Sequence, residues 1–363
     1  MRASSASPPG LSTSHRWHGT LPLRITKERR ANVADQDYKG VRTEGRLIPP
    51  PVSISAEARA HLEAMVGPDG IPAGLLGANP SPDDHPAWRE LKTIANARII
   101  EMMQPRFASV TSTVETIELG GARVHVATPA NAGPDDRAYV DIHGGALVYG
   151  EGEMCRMGAQ LQAMLHGVRV YGIDYRTPPE HPYPAALDDC VGAYRALLDR
   201  YRPDRLVMGG SSAGGNLAAA LALRARDEGL PLPASLLLMT PEVDLTESGD
   251  TFQTNQRLDV VLPRPLMNTN LLYAAGHDLA DPYLSPLFGD FTKGFPRTLI
   301  QAGTRDLFLS NAVRMHRALR RANVPVELHI FEGMPHGGFG GSSPEDAELA
   351  GEVKRFVRES WGA

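Results

Sequence analysis

The chain has 363 residues, 42% hydrophobic and 22% charged, with a formal net charge of −5. Such proportions describe a globular protein of one large domain or two ordinary ones, able to bury a core without disulfide staples. The negative balance and the lack of a long basic block exclude nucleic acid or an anionic membrane as the main partner. No stretch approaches the roughly 18 uninterrupted apolar residues of a membrane span.

Met1 to Arg30 is rich in Ser, Pro and Arg, with Glu28 as its only acid. It lacks the apolar core of a secretory signal and brushes against the composition of an organelle transit peptide. It reads as a disordered tail or a misplaced start. The tail is expected over residues 1–50, ending in Pro49-Pro50-Pro51. Two helical segments follow within 51–110. Ser55 is the expected N-cap of a piece running through Met65, with Glu57 in the first turn and Ala58 where a full capping box would need Glu or Gln. Trp88 to Met103 carries Leu91, Ile94, Ile99 and Met102 at helical spacing.

From Val114 the pattern changes to a hairpin turning at Gly120-Gly121, followed by alternating strands and helices. Strands are expected at Ala138 to Ile142, Arg169 to Tyr175, Arg205 to Met208, Ala234 to Met239, Arg297 to Gln301 and Val326 to Phe331. Helices are expected at Ala185 to Asp199, Ser212 to Asp227 (stopped by Gly229), Leu309 to Ala322 and Pro344 to Trp361. This predicts an α/β core over 111–363, with a mostly parallel sheet of about eight strands flanked by helices. The alternation breaks between Asp244 and Leu287, which predicts an inserted segment at about 245–285 with a helix at Pro263 to Ala275. Cys155 and Cys190 show neither metal-type spacing nor a disulfide framework and fit a reducing, cytoplasmic compartment.

The run VMGGSSAGGNLAAA, Val207 to Ala220, joins a strand to a helix. It lacks the Lys of a phosphate-binding P-loop, since Asn216 follows Gly215. It also fails the dinucleotide pattern, since Ser212 stands two positions after Gly210. It fits G-x-S-x-G as Gly210, Ser212 and Gly214. A serine on so sharp a turn presents its Oγ at the sheet edge and needs small residues two positions either side. Ser211 would instead require Gly209 and Ala213 in those places, a poorer fit. Taken alone the pattern is shared with many Gly-rich packing turns. A serine also needs a base and the base an orienting acid. Asp306 lies just past the strand Arg297 to Gln301, and His336 just past Val326 to Phe331. The order Ser212, Asp306, His336 is that of the α/β-hydrolases. Asp278 and Asp281 compete for the acid but fall inside the inserted segment. The strand Ala138 to Ile142 ends in His143-Gly144-Gly145-Ala146, where tandem glycines bring backbone N–H groups close to a developing oxyanion; the N–H of Ala213 is the other donor. His143 is read as a hydrogen bonder that holds this loop.

Three blocks resemble the bacterial hormone-sensitive-lipase-like esterases of the α/β-hydrolase superfamily: DIHGGA at 141–146, DYRTPPEHPYPAALDD at 174–189 and GGSSAGGNLA at 209–218. Weaker echoes are PEVDLT, ADPYLSPL and GMPHGGF. The resemblance covers roughly residues 110 to 360 and implies Ser212 as nucleophile, His336 as base and Asp306 as its partner. It also implies oxyanion donors at Gly144, Gly145, Ala146 and Ala213, and cap helices within 52–104 and 260–276. The chain departs from the family's pattern twice. Ala146 replaces the third Gly of HGGG, and its Cβ is expected to disfavour positive φ and to narrow or shift the acyl pocket. Ser211 replaces the family's usual Asp.

The reading is a cofactor-independent serine hydrolase of carboxylic esters with short to medium acyl chains. Its partner is a small-molecule ester, and an edge strand or helix face suits a homodimer. A lactone, aryl ester or acylated natural product is the alternative substrate. A non-catalytic small-molecule receptor on the same fold is the alternative class. The twelve histidines are scattered without metal-ligand spacing, so no metal is expected.

Overall fold

A computed structural model describes residues 47–75, 79–104, 110–133 and 135–362, with Val41, Gly45 and Phe107 besides. The chain divides into two units, 1–46 and 47–363, and the expected tail lies almost wholly outside the described residues. In chain order the strands are β1 (Thr113–Leu119), β2 (Ala122–Thr128), β3 (Ala138–Ile142), β4 (Arg169–Asp174), β5 (Leu206–Ser211), β6 (Ser235–Met239), β7 (Arg297–Gly303) and β8 (Val326–Phe331). They form one eight-stranded sheet in the order β1-β2-β4-β3-β5-β6-β7-β8. The hairpin turns at Gly120 and Gly121, so β1 pairs antiparallel with β2 and β2 with β4; every other pairing is parallel.

The helices are α1 (Ala56–Ala64), α2 (His85–Met103), α3 (Glu153–His166), α4 (Ala185–Leu198), α5 (Ala213–Asp227), α6 (Thr251–Thr254), α7 (Met267–Ala274), α8 (Leu309–Arg321) and α9 (Pro344–Ser360). None among the described residues is long and apolar enough to cross a membrane. The central strands are apolar on both faces, as parallel strands covered on both sides must be. Val140, Met208, Leu236 and Ile300 face one core that includes Leu187 and Leu217 of α4 and α5. Tyr139, Val207, Leu237 and Leu299 face a second core with Ala159 of α3 and Phe356 of α9. Both cysteines are free and buried.

Helix α3 has no counterpart in the sequence reading. It starts after Gly152, without a side-chain cap, and stops at a left-handed Gly167, so the usual start signal is missing. The expected helix at 263–275 is shorter, Met267–Ala274, and the short α6 precedes it. Helix α2 begins a turn earlier than expected, with Asp84 accepting from the Ala87 N–H. Of its spaced apolar positions Leu91 packs, whereas Ile94 and Met102 are exposed. Helix α2 is therefore anchored by Trp88, which is fully buried against Val148 and Leu272, rather than by a continuous apolar stripe.

Candidate active site

The carboxyl ends of β3, β5, β7 and β8 share one edge of the sheet, where α/β proteins collect their functional groups. Ser212 sits between β5 and α5 with φ 57° and ψ −118°, a strained conformation for a non-glycine residue. Its N–H donates to the Met239 carbonyl at 2.8 Å. The flanking glycines are required by close approach. A Cβ on Gly210 would lie 2.4 Å from the Ile142 oxygen, and one on Gly214 only 1.9 Å from the same oxygen. Ser212 is buried while Ser211 is exposed, its Oγ 3.4 Å from Thr240 Oγ1. The two adjacent serines thus differ in burial and backbone conformation.

The loops after β7 and β8 are fastened to each other. Thr304 N–H donates to the Phe331 oxygen at 2.9 Å, and Gly333 N–H to Thr304 Oγ1 at 2.8 Å. That contact brings Asp306 and His336 together. His336 Nδ1 donates to Asp306 Oδ1 at 3.1 Å, and the Phe308 N–H donates to the same oxygen at 2.9 Å. With its proton on Nδ1, His336 keeps Nε2 as the basic nitrogen. Burial alone would lower the His336 pKa, but the charge and hydrogen bond of Asp306, helped by Asp259, outweigh it and the net shift is upward. The Phe308 ring meets His336 edge-on at 5.0 Å.

The loop after β3 lies beside Ser212. A methyl on Gly144 would stand 2.8 Å from the Ser211 oxygen and 3.6 Å from Ser212 Cβ. Among the described residues no protein acceptor takes the N–H of Gly145, Ala146 or Ala213. His143 lies against this loop: its Nδ1 donates to the Gly144 oxygen at 2.8 Å. Burial pushes its pKa down, which keeps the ring neutral. One expectation is corrected. Ala146 does take positive φ, 51°, followed by Leu147 at 62°. Its partly buried side chain packs on the cluster of Phe252, Leu266, Leu307 and Phe308, and those contacts offset the strain.

Asp278 and Asp281 are not drawn to His336; both serve local turns, accepting from the Ala280 and Tyr283 N–H groups. The acid that the sequence reading missed is Asp259, buried between α6 and α7, with a carboxylate oxygen within 4.8 Å of ligand-type atoms of Asp306 and His336. A signal was present: Asp259 stands in the apolar run Leu258, Val260, Val261, Leu262, and an acid inside such a run is buried only with dedicated partners.

A strained serine turn and an Asp–His pair at one edge of a mostly parallel sheet define an α/β-hydrolase arrangement. The family described as alpha/beta hydrolase fold matches residues 139–339, and the chain belongs to it. An esterase of Acinetobacter venetianus is 34% identical over 196 residues, 53% of this chain; the match spans 64% of that protein's length. The solved structure of an esterase called E25 superposes with a TM-score of 0.80 at 33% identity, over 89% of this chain and 99% of that one. An esterase from the bacterial hormone-sensitive lipase family superposes with a TM-score of 0.72 at 27% identity, over 85% of this chain and 100% of that one.

Proposed function

We propose that the protein is a carboxylesterase that hydrolyses its ester through an acyl-enzyme on Ser212. The observation that carries the reading is the buried Asp306–His336 hydrogen bond, 3.1 Å, on the same sheet edge as a serine held at positive φ. Ser212 Oγ attacks the ester carbonyl while His336 Nε2 takes its proton. Negative charge develops on the carbonyl oxygen, and the N–H groups of Ala213, Gly144, Gly145 and Ala146 stabilise it. The tetrahedral adduct collapses, and His336 returns the proton to the departing alcohol. Water then gives a proton to His336 and attacks the acyl carbon, and the carboxylic acid leaves as Ser212 is reprotonated. Asp306 holds the imidazole in the tautomer this cycle needs.

On this reading helices α1, α2 and α7 belong to a cap over this edge. Trp88 of α2 packs on Val148 and on Leu272 of α7, beside the oxyanion loop, and Asn96 Oδ1 accepts from the Gly150 N–H at 3.2 Å. A cap anchored so close to the loop favours esters of short to medium acyl chain. The test is hydrolysis of p-nitrophenyl esters from acetate to decanoate by the full chain, by Ser212→Ala and by Ser211→Ala. Turnover that falls by several orders of magnitude in Ser212→Ala alone supports the reading; full activity in Ser212→Ala with loss in Ser211→Ala would overturn it.

A further inference from the structure

Asp259 comes from the segment between α6 and α7, yet its carboxylate binds both loops that deliver the acid and the base. Oδ2 accepts from the N–H of Leu307, the neighbour of Asp306, at 2.8 Å. Oδ1 accepts from Val261 at 2.9 Å, from Leu262 at 3.1 Å and, more loosely, from the backbone N–H of His336 itself at 3.4 Å. The same segment makes a second clasp, Asn255 Nδ2 donating to the backbone oxygens of Thr304 and Asp306 at 3.2 and 2.9 Å. Val260 completes it, packing in one cluster with Met334 and Phe339 on either side of His336.

We propose that Asp259 is a positioning residue for ester hydrolysis: its carboxylate locks the Asp306 and His336 loops together and sets a second negative charge beside the imidazolium formed when Ser212 gives up its proton. The proposal rests on the acyl-enzyme reading above. The partners of Asp259 are all N–H donors, which suit an ionised acceptor. The ionisable groups acting on it are Asp306 and His336. Burial and then the Asp306 charge push its pKa up, and they outweigh the opposing pull of His336 and the backbone donors, so the net shift is upward; it is the N–H partners and the imidazolium beside it that favour the charged form. An imidazolium between two buried carboxylates is stabilised by both, so the second acid raises the proton affinity of His336. An Asn at 259 keeps the size and one acceptor, but loses the charge and turns an NH₂ toward a backbone donor.

The experiment compares the full chain with Asp259→Asn, Asp259→Glu, Asp306→Asn and Ser212→Ala. Active sites are counted by stoichiometric p-nitrophenol release from a p-nitrophenyl phosphonate, and p-nitrophenyl butyrate kinetics are followed across pH. Per titrated site, Asp259→Asn should lose roughly ten- to a hundredfold in kcat with KM little changed, and its acid limb should move to lower pH. Asp259→Glu keeps the charge in a displaced position, so it should lose kcat while holding the acid limb in place. Should Asp259→Asn not fold, Asp259→Glu decides alone: an unchanged kcat per site overturns the proposal. For a folded Asp259→Asn, an unchanged kcat and acid limb per site, or a loss seen only in the number of titratable sites, overturns it too. Persistent turnover in Ser212→Ala would instead sink the acyl-enzyme reading, whereas inactive Ser212→Ala and Asp306→Asn beside a silent Asp259→Asn sink this inference alone.

Discussion

Tyr175 and His143 lie face to face, ring centroids 3.9 Å apart and planes 6° from parallel, and the Tyr175 hydroxyl donates to the His143 carbonyl at 3.0 Å. One side chain from the end of β4 thus holds both the ring and the backbone of the residue that opens the Gly144–Ala146 loop. Tyr175→Phe keeps the stack and leaves a buried carbonyl without its donor. It should cost about 1–3 kcal/mol in denaturant unfolding with little change in kcat. Tyr175→Leu also removes the stack, and should lower kcat by roughly tenfold or more because the proposed oxyanion donors lose their fixed aim. Equal kcat in the two variants would show that the stack does not position the loop.

Ala146→Gly tests the positive φ of 51°. The substitution relieves about 1–2 kcal/mol of left-handed strain. It also gives the unfolded chain about 0.4–1 kcal/mol more conformational freedom, and it deletes the methyl that packs against the Phe252 and Phe308 cluster. These terms oppose one another, so the melting temperature should shift by less than about 3 °C. Calorimetry checks the balance. The freed space should lower KM for the longer p-nitrophenyl esters relative to acetate.

The pH profile follows from His336. On the proposed mechanism protonated His336 cannot accept the Ser212 proton, so kcat/KM should rise with pH through the free-enzyme pKa of this residue. Its folded value is raised above the ordinary 6.5, because Asp306 and then Asp259 outweigh the opposing effect of burial. The acid limb should therefore have its midpoint above 6.5, and Asp306→Asn should both slow turnover and move that limb down. A wild-type midpoint at or below 6.5 would contradict the assignment of His336 as the titrating base.

The parts of this molecule legible in the sequence are those governed by local chemistry. Ser55 caps α1 by accepting from the Ala58 N–H at 3.1 Å, as its residue type requires. The turn holding Ser212 was readable because a Cβ on Gly214 would lie 1.9 Å from the Ile142 oxygen, so only glycine fits there. Asp306 and His336 could be found because strand ends converge on one edge. What stayed hidden depends on partners distant in sequence. Helix α3 lacks a side-chain cap and is held by packing on the sheet. The positive φ of Ala146 is stabilised by Phe252 and Phe308, far along the chain. Asp259 owes its place to backbone donors at Leu307 and His336, and no spacing rule reaches that far.

Ser55 donates both its N–H and its Oγ to the Glu345 carboxylate, each at 2.7 Å, across 290 residues of chain. Helix α1 also packs Ala58 and Leu62 in one cluster with Met334 and Phe339. Residues 55–62 are therefore fastened to residues 334–345, two stretches far apart in the sequence. During translation the N-terminal helices emerge first and must wait for the last segment to leave the ribosome before this clasp can form. The clasp needs Glu345, so the anchoring of α1 belongs to the last part of the chain to be made.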